Sequence, residues 1–105
     1  MTKNNLLDCI TILDIRNALS CKNIDWCQFN YCNAYTTGGA LELVVIGDTE
    51  YWVQPIKSYN TIVAFAYQGQ FYEIGKYSRT TSKQVTQIYN RFFSNYDRFF
   101  VDRLY

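Results

Sequence analysis

The sequence predicts an α+β fold, an antiparallel meander of three to five strands flanked by an N-terminal helix and a long C-terminal helix. Three observations predict it. Residues 40–75 hold short, β-branched apolar runs separated by turn-forming residues. Residues 81–105 place apolar side chains at helical spacing, and residues 6–19 repeat that spacing more weakly. A chain of 105 residues fits a single domain, 1–105.

The N-terminal element runs from Leu6 to Leu19. Leu6, Ile10, Leu13 and either Ile12 or Ala18 share one helical face. Asn4 or Asn5 caps its start through a backbone N–H. Asp8 in an early turn and Lys22 past the end suit the helix dipole. Cys9 falls on the buried face as a small hydrophobe. Ile10, Ile12 and Ile15 are β-branched, which leaves a strand as the alternative.

Ile24 to Tyr35 is aromatic and Asn-rich with no clean period, and reads as a loop entering a strand. Gly38-Gly39 ends it. Ala40 to Ile46 then reads as a buried strand. Gly47-Asp48-Thr49 turns the chain, and Glu50 to Pro55 pairs back. Pro55 has no N–H to donate, so it marks a strand end or an edge. Thr61 to Tyr67 forms a further strand, and Gln68-Gly69-Gln70 turns it into Phe71 to Gly75. Short links between successive strands imply antiparallel neighbours.

The last helix is expected from Thr81 to about Tyr105. Thr81 and Gln84 match a capping box, in which each side chain bonds the other residue's backbone N–H. Val85, Ile88, Tyr89, Phe92, Tyr96, Phe99 and Phe100 form one face. Lys83, Gln87, Arg91, Ser94 and Arg98 form the other. At about 100° per residue, Lys83, Arg91 and Arg98 share a sector of about 80°.

Composition narrows the function. Apolar residues make up 49% of the chain and aromatics 18%, too much for a disordered segment. Net charge is +1, but it is unevenly spread. Residues 1–75 carry four cations and seven carboxylates, whereas residues 76–105 carry six cations and two carboxylates. A basic C-terminal third suits an anionic partner, although a solvated helix face has the same composition.

No catalytic or metal motif is present. The chain has no His, so neither a Cys–His pair nor a His base exists within it. Cys9, Cys21, Cys27 and Cys32 contain no C-x-x-C spacing, which argues against structural zinc. Asp48 and Glu50 are the nearest carboxylate pair and sit at a hairpin tip in solvent. Gly38-Gly39 lacks the Lys and Ser/Thr of a phosphate loop. A non-enzymatic protein without a cofactor is expected. The start of the chain, broken by Asp8 and Asp14, is unlike a signal peptide, and no run approaches a membrane span. A reducing cytoplasm is the expected compartment.

Tyr77-Ser78-Arg79-Thr80-Thr81-Ser82-Lys83, preceded by Ser58-Tyr59-Asn60-Thr61-Ile62-Val63-Ala64, resembles a pattern in small proteins of Gram-positive phages, plasmids and integrative elements. The resemblance covers about residues 41–95. That pattern often has His after the Lys, where this chain has Gln84. The resemblance implies a mobile-element origin and supplies no catalytic residue. Small proteins of such elements are often inhibitors of host defence, anti-CRISPR proteins among them.

The expected function is therefore binding, as an inhibitor that blocks a Cas9-type nuclease by occlusion. The alternative is a small DNA- or RNA-binding accessory protein that uses the basic helix face. The candidate partner-binding residues are Arg79, Lys83, Arg91 and Arg98, with the strand aromatics Tyr51, Trp52, Tyr67 and Tyr72. Tyr, Trp and Arg dominate interface hot spots. For each strand aromatic the competing reading is core packing or a cross-strand pair. A β-edge left open after Pro55 leaves room for a homodimer.

Overall fold

The structure, a computed structural model, describes residues 7–29, 34–74 and 79–101. Its elements are α1 (Cys9–Ser20), β1 (Cys27–Gln28), β2 (Ala34–Thr36), β3 (Glu42–Ile46), β4 (Thr49–Ser58), β5 (Thr61–Tyr67), β6 (Gln70–Ile74), α2 (Arg79–Phe92) and β7 (Asp97–Val101). The strands form one mixed sheet in the order β1-β2-β4-β5-β6-β7, with β3 also paired to β4. The fold is α+β, as the pattern predicts. The sheet has seven strands among the described residues rather than three to five.

The helices lie on opposite faces of the sheet. Ile12, Ile15 and Leu19 of α1 join Val44, Val53, Phe65, Tyr72 and Ile74 in one apolar cluster. Val85 and Ile88 of α2 join Ile56, Val63, Ala64, Ala66 and Phe71 in another. β5 and β6 are thus covered on both sides. That is why Ile62 to Ala66 reads as a continuous apolar run instead of an alternation. A bulge between Ile56 and Lys57 helps: Ile56 pairs with Ala64 but Lys57 pairs with Ile62. Val63 is the extra residue, and both Val63 and Ala64 face α2.

Three two-residue turns build the meander β3–β6. The β3–β4 turn uses Gly47 at φ 61°, and the β5–β6 turn uses Gln68 at φ 47° and Gly69 at φ 81°. Left-handed residues at these positions match the twist of the flanking strands. β4 is long because it changes partner part-way. Thr49–Val53 pairs with β3, and Lys57–Ser58 pairs with β2. Pro55 falls in the gap between them, opposite Phe65 of β5. The proline therefore marks an exchange of neighbours, not a strand end. The edge after Pro55 is also not open, because β2 occupies it.

The C-terminal third differs most from expectation. α2 ends at Phe92, and residues 97–101 form β7, which runs parallel to β6. A parallel neighbour needs a crossover, and α2 supplies it. The long helix to Tyr105 is thus corrected to fourteen helical residues, a turn and a strand. Residues 102–105 lie outside the described residues. Ser94 and Asn95, both turn formers, break the helix before Phe99-Phe100-Val101, which favour a strand. Phe92 is 52% exposed, and Phe93 is the buried ring instead.

Helix starts also shift. α1 begins after Asp8, whose carboxylate accepts from the Thr11 N–H at 2.7 Å. Asn4 and Asn5 lie outside the described residues. Ile10 is 74% exposed and Cys9 is exposed, so the buried face is Ile12–Ile15–Leu19, which keeps Ile12 of the expected face but not Ile10 or Cys9. α2 starts at Arg79, which puts Thr81 inside its first turn. The Thr81 hydroxyl meets Ser58 Oγ at 3.2 Å, tying the helix to β4 instead of capping it. Gln84 Oε1 is buried with no hydrogen-bond partner among the described residues.

Candidate partner-binding surface

Seven of the eight nominated side chains are described, and they fall into three groups. Lys83 and Arg91 stand exposed on the outer face of α2, with the Arg91 guanidinium 5.7 Å from the Phe92 ring centre. Trp52 is half-exposed on β4. The other described nominees are tied into the fold. Tyr72 is 1% exposed, so it presents no surface. Its hydroxyl donates to Gln70 Oε1 and accepts from the Leu7 N–H at 3.1 Å, and burial pushes the phenol pKa up. Tyr51 and Tyr67 form an edge-on pair on the α1 side, ring centres 5.5 Å apart. Burial, then the neighbouring Tyr51, raises the Tyr67 phenol. The Arg79 side chain lies outside the described structure.

Arg98 is the main correction. It belongs to β7, not to a helix face. Its Nε donates to Glu73 Oε2, and its Nη2 donates to Thr86 Oγ1 at 2.7 Å. Its guanidinium lies 4.9 Å from the Tyr89 ring centre. Glu73 itself is 4% exposed. A buried carboxylate needs a partner, and Arg98 provides it while joining β6, α2 and β7. Sequence reasoning missed this pair, whose members lie 25 residues apart. Lys57 is similarly engaged, its ammonium 4.8 Å from the Trp26 ring and 4.9 Å from the Tyr35 ring.

A groove remains on the α2 side of the sheet, where α2 does not reach β3 and the first half of β4. One end is a cavity of about 310 Å³ lined by Leu41, Glu50, Trp52, Gln54, Ala66, Tyr67, Gln68 and Tyr96. The other is a cavity of about 240 Å³ lined by Thr36, Gly38, Gly39, Gln54, Phe92 and Phe93. Gln54 lines both. Gly38 and Gly39, at φ 64° and 94°, let the β2–β3 connection turn back beside the second cavity. Leu41 and Trp52 are each 50% exposed. Val45, 55% exposed, is on the same hairpin. Of these groove residues, sequence reasoning found Trp52 and Tyr67 as contacts. Phe92 was assigned to the core by its helical period, and only the helix end turns it outward.

No group of three or more His, Cys, Asp or Glu side chains converges on a point among the described residues. Cys9, Cys21 and Cys27 are free and exposed, and Cys32 lies outside the described residues. No helix is long and apolar enough to cross a membrane among the described residues.

A mixed sheet held between two helices, with a groove open beside the second, defines a small three-layer α+β protein. The chain belongs to a family of unknown function, DUF8033, whose model matches residues 22–99. The match covers β1 to β6, α2 and the start of β7, but not α1. No curated protein and no solved structure matches the chain.

Proposed function

We propose that this chain is a non-catalytic binding protein of a phage or mobile element, acting in the host cytoplasm to inhibit a Cas9-type defence nuclease by occlusion. The observation that supports binding is the groove around Trp52. Leu41, Trp52 and Phe92 expose large apolar side chains around two adjoining cavities. Clustered exposed apolar groups mark interaction sites more than scattered ones do. The step from binding to inhibition of host defence rests on the resemblance of residues 58–64 and 77–83 to proteins of mobile elements.

The test uses a purified, guide-loaded Cas9-type effector. The protein is expected to co-elute with it in gel filtration and to reduce DNA cleavage. Neither effect with any such effector would reject the inhibitor reading.

The basic helix face favours a second reading, direct nucleic-acid binding. With Arg98 turned toward Glu73, Lys83 and Arg91 remain on that face among the described residues. Two phosphate contacts give a log–log salt slope of only about −2. Binding to free duplex or single strand with a slope of about −2, lost when Lys83→Ala and Arg91→Ala are combined, would favour this second reading over the first.

A further inference from the structure

We propose that the larger cavity, beside Trp52, takes a cationic side chain, a guanidinium or ammonium group presented by a protein partner. This deepens the binding reading above and rests on it. Three observations carry the proposal. The cavity volume, about 310 Å³, suits one long side chain rather than a folded element. Its lining pairs a half-exposed indole, Trp52, with a carboxylate, Glu50, and the side-chain amides of Gln54 and Gln68.

Among the described residues, Glu50 is also the only charged side chain that lines it, and it has no ion pair there. No Lys or Arg of the described residues lines the cavity. The local charge is therefore negative beside an aromatic face, the arrangement that attracts a cation. The fold already uses this chemistry where Lys57 sits against Trp26 and Tyr35. There the site is filled from within the chain, whereas beside Trp52 no cation of the described residues fills it.

The probes are N-acetyl-arginine amide and its uncharged counterpart N-acetyl-norleucine amide, each titrated into the full chain and followed by NMR. The arginine probe is expected to shift the Trp52 indole N–H and the Gln54 side-chain amide, leaving the Trp26 indole in place. Glu50→Gln is expected to weaken it roughly three- to five-fold, the range of an exposed charge pair. Equal shifts from the norleucine probe, an unchanged affinity in Glu50→Gln, or shifts centred on Trp26 would overturn the proposal. Such a result would leave partner binding itself standing, because that reading falls only if no effector is bound.

Discussion

Arg98→Ala tests whether Glu73 and Arg98 form a structural clasp. Glu73 is a carboxylate on β6 whose side chain is 5% exposed, and the Arg98 side chain is 32% exposed. Removing Arg98 deletes its bond to Glu73, its 2.7 Å bond to Thr86 and its contact with the Tyr89 ring. It also leaves the carboxylate buried without its cation. Breaking a fully buried pair costs about 3–5 kcal/mol. The partly solvated guanidinium lowers that to about 2–3 kcal/mol, because water screens the charge it supplies. A domain of this size has a stability of about 5–15 kcal/mol, so the loss is a sizeable fraction.

Urea denaturation should show it as a midpoint lowered by about 1–2 M, with m near that of the wild type. Glu73→Gln should cost less, since the amide oxygen still accepts from the guanidinium. The double variant should cost less than the sum of the singles by about 1 kcal/mol or more, as expected for directly coupled groups. A loss of under about 0.5 kcal/mol for Arg98→Ala, the usual size for an exposed pair, would refute the reasoning and return Arg98 to the surface.

Three further outcomes follow from particular side chains. Phe93→Ala should destabilise by about 3–4 kcal/mol and Phe92→Ala by less than half of that, measured by urea melts; the reverse order would mean that the helix continues past Phe92. Tyr72→Phe should cost about 1–2 kcal/mol in the same assay, because it removes a buried hydroxyl that both donates and accepts. Asp8 accepts from the Thr11 backbone N–H, which lowers its pKa below 3.8. A lowered carboxylate stabilises the fold above its unfolded value, and that contribution is lost as pH falls below 3.8 through the folded value. Asp8→Asn keeps a cap but no charge, so its stability should fall less than the wild type's between about pH 5 and pH 2.5, read by melts at both.

The meander was legible because its punctuation is local. Gly47-Asp48 and Gln68-Gly69 are turn formers that supply left-handed backbone, and the apolar runs between them have strand length. The α2–β7 region misled for an equally local reason. Val85, Ile88, Tyr89 and Phe92 set a 3.6-residue period, and Tyr96, Phe99 and Phe100 continue it into what is a strand. Ser94 and Asn95 carry the stop signal, but two turn residues weigh little against seven matching apolar positions.

The site was legible only in part, because it is built from distant segments. Trp52 stood out as a contact, being a large amphipathic ring on a strand. Its neighbours Leu41 and Tyr96 reach it only through the β3–β4 hairpin and the turn after α2. Arg98 looked like a surface cation because nothing in its own segment signals Glu73. Tyr72 looked like a strand aromatic of either face, and its burial is decided by α1, which packs on the Tyr72 side of the sheet.

Binding through the groove is tested most directly by isothermal titration of a guide-loaded effector with the wild type and with Trp52→Ala, the folding midpoint of each serving as control. A central aromatic anchor is worth about 2 kcal/mol or more, so affinity should fall about 30-fold or further with the fold intact. Unchanged affinity in a folded Trp52→Ala variant would contradict the account and place the contact surface elsewhere on the chain.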